Sequence, residues 1–187
     1  RVLRLLKIVS NKAYKRLNMR WNAKYDRMSG TSTRNRLIND QNGTTGQTFT
    51  YGACYAQKNA CETIAVHNAK VLLVIDSTLS DTMAAFQDAN TMMAFGYLGS
   101  DPLRIGTVLR NEGIQYTRIR LDEMDKPGTY IISFWNDKPL TEGLHTVAVS
   151  YDGTGYTTYN RYGDGKLNYQ APASYARNSY ICGYYLG

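Results

Sequence analysis

Among 187 residues the side chains best suited to covalent chemistry are three cysteines, Cys54, Cys61 and Cys182, and two histidines, His67 and His145. With two imidazoles and no Cys-x-x-Cys pair, a structural zinc site is excluded, and no cofactor-binding motif is legible. The stretch Asn59-Ala60-Cys61-Glu62 reads as a helix start, because Asn59 is a good N-cap and Glu62 stands at capping-box spacing. Cys61 then falls in the first turn, where unpaired N–H groups and the positive end of the macrodipole favour a thiolate. The thiolate is the nucleophilic form. The competing reading is a small apolar residue sharing a core stripe with Ile64, Ala65, Leu72 and Ile75. Cys54 is the rival nucleophile, but it lies in an irregular Tyr-Gly-Ala-Cys stretch with nothing to place it at a helix start.

A cysteine nucleophile needs a base. His67 follows Cys61 by six residues on the same expected helix, which turns it through about 600° and raises it about 9 Å. The two side chains diverge, so His67 reads as a helix-face histidine. His145 opens an expected strand, Leu144 to Tyr151, and is the base by elimination. The turn Asp152-Gly153-Thr154-Gly155 then brings in a third residue. If Tyr151 pairs with Tyr156, Asn160 faces Val147 and is the diagonal neighbour of His145; if Asp152-Gly153 is a two-residue loop, Asn160 faces His145 directly. Either register keeps both on one face, whereas a loop of odd length separates them. The side-chain carbonyl of Asn160 is expected to hold the imidazole tautomer. The alternative for Asn160 is a strand-end residue satisfying a turn.

The elements that must position these groups follow from periodicity and punctuation. Helices are expected over about Cys61–Ile75 and Asp81–Phe95, the second ended by Gly96, and from Ser100-Asp101-Pro102 to Gly113. Strands are expected at Gln115–Leu121, Thr129–Trp135, His145–Tyr151, Tyr156–Tyr162 and Tyr180–Leu186. Helices followed by an antiparallel meander define an α+β domain. The nine tyrosines from Tyr151 onward fit sheet packing.

Charge is unevenly placed. Of 22 basic and 15 acidic residues, 11 basic and one acidic, Asp26, lie in residues 1–36, which leaves 11 basic against 14 acidic elsewhere. This N-terminal segment reads as a basic amphipathic helical arm whose apolar stripe runs Val2, Leu6, Val9, Ala13, Leu17, Trp21, Tyr25 and Met28. Three roles compete for it: an anionic membrane surface, nucleic acid, or docking on its own domain with a solvated basic face. Its start with Arg rather than Met suggests an excised or processed domain. Ser29 to Gly46 is loop-like, so the chain divides into an arm (1–36), a loop or linker (37–50) and a main domain (51–187). The longest aliphatic run, Val71 to Ile75, is far short of a bilayer span, so no transmembrane segment is expected.

Gln57, Cys61 opening a helix, His145 opening a strand and Asn160 ending the next stand in an order that resembles the papain-like cysteine peptidases. The similarity covers roughly Tyr51 to Asp164, and the short form resembles the peptidases that cut bacteriocin double-glycine leaders. The resemblance implies a papain-like fold with helices packed on a small antiparallel sheet, a Cys61–His145–Asn160 triad, and amide hydrolysis through a thioester. It implies an oxyanion hole made by the Gln57 amide beside the Cys61 backbone N–H, with Asn59 as alternative donor because Gln57 lies close upstream. Deamidation or transglutamination would use the same groups. Where the leader peptidases carry Asp followed by Pro, this chain has Asn160-Arg161, and the Asp-Cys-Ser-Gly signature of cell-wall amidases is absent. Papain-like domains also resemble the warheads of bacterial toxins, which implies a peptide or protein substrate, an inhibitor or immunity protein as partner, and a bacterial cytoplasmic or secreted setting. The other class is a non-catalytic binding or toxin module whose arm contacts nucleic acid or anionic membrane.

Overall fold

The computed structural model describes residues 2–28, 30–136 and 143–187, with side chains from residue 8 onward. The side chains of two expected stripe residues, Val2 and Leu6, and the whole of Ser29, the first residue of the expected loop, therefore lie outside what is described. Helices come first: α1 (Val2–Asp26), α2 (Thr44–Thr48), α3 (Cys61–Leu72), α4 (Leu79–Asp88) and α5 (Ile105–Asn111), with a two-stranded ribbon of β1 (Thr50–Tyr51) and β2 (Cys54–Tyr55) between α2 and α3. Then come β3 (Thr117–Ile119), β4 (Gly128–Trp135), β5 (Leu144–Tyr151), β6 (Tyr156–Tyr159), the short α6 (Ala173–Ala176) and β7 (Tyr180–Tyr185). The main sheet is antiparallel throughout, in the order β3-β7-β4-β5-β6. This is a mixed helix-plus-sheet chain with a small antiparallel sheet.

The sheet is covered on both faces. Ile131 and Tyr184 join Ile64, Leu79, Phe86 and Val108 in the helical core, and Tyr130, Ile132, Phe134, Val147 and Val149 form a second cluster with Ala176 beneath. Period-two alternation therefore sends successive β4 residues to opposite cores. The β5–β6 hairpin pairs Tyr151 with Tyr156 and Ala148 with Tyr159, which is the first of the two registers considered.

Helix ends differ from expectation where a residue adopts left-handed backbone. The third helix stops at Leu72, short of Ile75, because Val74 sits at φ 58 and the Ile75 N–H caps the Lys70 carbonyl. The fourth starts at Leu79, two residues early, on a reciprocal cap between Thr78 and Asp81. It ends before Asn90 at φ 52 rather than running to Phe95.

The basic helix packs on α4 and β1, but of its described apolar stripe only Tyr25 reaches the core. Its inward face carries Asn11, Asn18 and Asn22, all buried. Asn18 accepts from the Gly52 N–H at 2.8 Å and donates to the Gly52 carbonyl at 3.1 Å, and Asn22 makes the equivalent pair with Thr50 at 2.9 Å and 2.9 Å. The ribbon at 50–52 has backbone groups that its short ladder leaves unpaired, and the two amides supply the missing partners. Val9, Leu17, Trp21 and Met28 are left exposed instead. Nor is 37–50 a linker: Ile38 and Phe49 are in the core and Thr44–Thr48 is helical.

Candidate active site

Cys61 is the first residue of α3, as the sequence indicates, yet the cap is not Asn59. The capping residue is Ala60, which offers no side-chain acceptor. Asn59 instead donates both amide hydrogens, to the Tyr51 and Gly96 carbonyls at 2.7 Å each, and so clips the ribbon and the 94–96 turn beneath the helix start. With both hydrogens committed, Asn59 is not available as an oxyanion donor, which corrects that alternative. Gln57 keeps its place: it lines the cavity that Cys61 opens into.

His145 sits opposite Phe134 in the β4–β5 pairing, and the two rings meet edge to face with centroids 5.9 Å apart. Its Nε2–H donates to the Asn160 backbone carbonyl at 2.8 Å, which leaves the acceptor lone pair on Nδ1. Asn160 follows the last residue of β6 at φ 61, a left-handed conformation that asparagine tolerates better than most residues. That twist delivers its backbone oxygen, rather than its side chain, to the imidazole. The side-chain amide is used elsewhere: Nδ2 donates to Gln41 Oε1 at 2.7 Å and Oδ1 accepts from the Gln41 N–H at 3.3 Å. The expected role for the Asn160 side chain is thereby corrected: the contact to the imidazole is made by the backbone oxygen.

Gln41 is the site residue that sequence reasoning missed. Its Nε2 donates to the Ala56 and Gln57 carbonyls at 3.2 Å and 3.3 Å, in the turn that leads into Cys61. A hydrogen-bonded chain therefore runs from His145 through Asn160 and Gln41 to the Gln57 backbone. No spacing rule links position 41 to position 160, and a polar residue in Asn39-Asp40-Gln41-Asn42 carries no signal beyond "loop". Arg161 was likewise overlooked; its guanidinium lies over Phe134, Tyr162 and Tyr175 at 5.1, 5.0 and 4.9 Å and lines the same cavity as the histidine.

Cys61 and His145 line one cavity of about 430 Å³, together with Gln41, Gln57, Lys58, Asn136 and Arg161. Among the described residues the wall is polar and carries no carboxylate. Within it the Cys61 thiol donates to the Leu144 carbonyl at 3.8 Å, so it rests against the residue before His145 rather than on the imidazole. A second, more apolar cleft shares Cys61 and Leu144 and runs past Glu62, Tyr97, Leu98, Leu103 and Trp135.

The protonation states differ from the thiolate expected at a helix start. Cys61 is 7% exposed, and burial, then the neighbouring Glu62 charge, push its thiol well above the ordinary range. A helix dipole contributes about 0.3–1 kcal/mol. Full burial shifts a titrating group by as much as about 3–5 pKa units, at about 1.4 kcal/mol per unit, so desolvation wins. Burial also pulls His145 down to about 4, helped by the Arg161 charge and opposed by the Asn160 hydrogen bond. The resting pair is a neutral thiol and a neutral imidazole.

His67 is remote from this chemistry. It is fully buried on α3, its Nε2–H donates to the Arg36 carbonyl at 2.9 Å, and burial lowers its pKa. All three cysteines are free thiols, and Cys54 lies in β2 outside both clefts. Among the described residues no group of His, Cys, Asp and Glu is placed to hold a metal, and no helix is long and apolar enough to cross a membrane. No protein family, no curated protein and no solved structure matches the chain.

Proposed function

We propose that the chain is a cysteine amide hydrolase of papain-like type, cutting peptides or proteins through a thioester on Cys61. The observation that carries this reading is the shared cavity: a cysteine at the first position of a helix and a histidine whose Nε2–H is fixed face one polar space, with the basic Nδ1 left for proton transfer.

The neutral resting pair dictates the order of events. The thiol leaves the Leu144 carbonyl, Cys61 Sγ attacks the substrate carbonyl carbon, and its proton passes to His145 Nδ1. The oxyanion that forms is met by the Cys61 backbone N–H and the Gln57 side-chain amide. His145 then protonates the departing amine as the C–N bond breaks, leaving an acyl-thioester. Water, deprotonated by the same nitrogen, adds to the thioester, the C–S bond breaks to release the acid, and the Cys61 sulfur takes the proton back from His145. Asn160 holds the imidazole throughout by its backbone, and Gln41 holds Asn160.

A peptidyl acyloxymethyl ketone, followed by peptide mapping, tests the assignment. One adduct is expected, on Cys61, and it should vanish in His145→Ala. Equal modification of Cys54, Cys61 and Cys182, or a Cys61 adduct that forms as fast without His145, would count against the reading.

A further inference from the structure

The outward face of α1 combines apolar and cationic side chains with no acid among them. Val9, Leu17, Trp21 and Met28 are 57%, 60%, 44% and 46% exposed. At 100° per residue Val9, Leu17 and Trp21 fall within about 120° of the helix circumference, with Ala13 between them, and Met28 follows just past the helix end. Lys12, Arg16, Arg20, Lys24 and Arg27 are exposed within or beside the same arc. Neither kind of side chain is spent on the protein's own core, because the buried face is the asparagine face.

Among the described residues no carboxylate pairs with a cation of that face. The one acid of the segment, Asp26, is turned inward, accepting from the Thr33 N–H and hydroxyl and from the Ser80 hydroxyl. The nearest ion pair, Lys15 with Asp88, lies at the seam with α4 rather than on the outer face.

We propose that this face of α1 docks on an anionic lipid surface, with the helix lying in the plane of the interface. Exposed valine, leucine, methionine and tryptophan gain by entering the headgroup–acyl boundary, and the interspersed cations meet the lipid charge. The tryptophan is set up for such a boundary: its Nε1–H is already satisfied by the Thr48 carbonyl at 2.9 Å, so its ring edge enters an apolar layer without an unpaired donor. Nucleic acid fits less well. Phosphate contacts make no use of exposed aliphatic side chains, and the Trp21 ring is held against Tyr25, with centroids 5.7 Å apart, rather than free to stack on a base. The inference is independent of the chemistry at Cys61.

Co-sedimentation of the full chain with vesicles tests it. Binding is expected to vesicles of phosphatidylcholine with 30% phosphatidylserine (roughly the charge at which such steering is felt), weakly to pure phosphatidylcholine, and to fall as salt rises. Arg16→Gln with Arg20→Gln should weaken partitioning by roughly thirty-fold, at about five-fold per charge. Val9→Ser with Leu17→Ser should weaken it by roughly ten-fold or more through lost apolar burial. Both pairs are at exposed positions, and unchanged circular dichroism confirms that the fold persists. No binding to the anionic vesicles would overturn the proposal. So would vesicle binding indifferent to the Val9/Leu17 change, which would make the contact purely electrostatic. Duplex DNA binding tighter than vesicle binding, lost in the arginine variant alone, would overturn it in favour of nucleic acid.

Discussion

Glu62 stands next to Cys61, is 2% exposed, and has no hydrogen-bond partner for Oε2. Burial, with Asp101 adding negative charge nearby, raises its carboxyl from the ordinary 4.5 to about 7, despite its own backbone N–H and that of Ser100. Between those two values the unfolded chain has already released a proton that the folded chain retains, so this residue's contribution to stability falls as pH rises through the window 4.5–7. A shift of this size is worth roughly 3 kcal/mol once the window is passed. Replacing Glu62 by Gln keeps the shape and removes the charge. The variant should match the parent below pH 4.5 and pull ahead with rising pH, reaching a lead of roughly 6–12 °C in melting temperature above pH 7 for a chain of this size. Thermal melts of both proteins from pH 4 to 8 read the gap directly. The difference between them isolates Glu62 from His67 and His145, which titrate in both. Loss of the carboxylate also removes the second-largest cause of the raised Cys61 pKa, so alkylation of Cys61 at pH 8 should accelerate in the variant. A gap that does not change with pH, or a parent that overtakes the variant as pH rises, would refute the placement of a buried carboxylate beside the thiol.

Asn160→Gly should retain kcat/KM within about ten-fold, because the bond to His145 comes from the backbone and glycine accepts the left-handed φ. The lost Gln41 contacts should cost about 1–2 kcal/mol in denaturant melts. A drop of a hundred-fold or more would return the orienting role to the side chain. The acid limb of kcat/KM should fall near pH 4, where the half-buried, desolvated His145 takes up its proton, rather than near the 6.5 of an exposed imidazole. A limb at 6–7 measured on the purified chain would contradict that desolvation.

The sheet half of the fold was legible because its signals are local. The β-branched and aromatic runs over Thr129–Trp135 and His145–Tyr151 mark strands, and the Asp152–Gly155 turn fixes a register in which His145 and Asn160 fall at one end. Cys61 does open α3, but not through the Asn59 cap from which the start was argued. What failed depends on partners distant in sequence. Asn59 has the chemistry of a cap, but two bare carbonyls, at Tyr51 and Gly96, claimed its hydrogens. The stripe on α1 is a genuine apolar periodicity, yet the buried face was decided by the unpaired ribbon backbone that Asn18 and Asn22 satisfy. Asn90 could stop α4 because asparagine tolerates the left-handed region, a permission rather than a signal. The link from Gln41 to Asn160 spans 119 positions and left no trace in spacing.

The central claim, that Cys61 and His145 together cut amide bonds, is tested most directly by digesting a proteome-derived peptide library and sequencing the new termini by mass spectrometry. Cys61→Ser and His145→Ala serve as paired controls. The account predicts new termini with the native chain and none above background with either variant. Cleavage that survives in Cys61→Ser, or a native chain that generates no new termini, would contradict it.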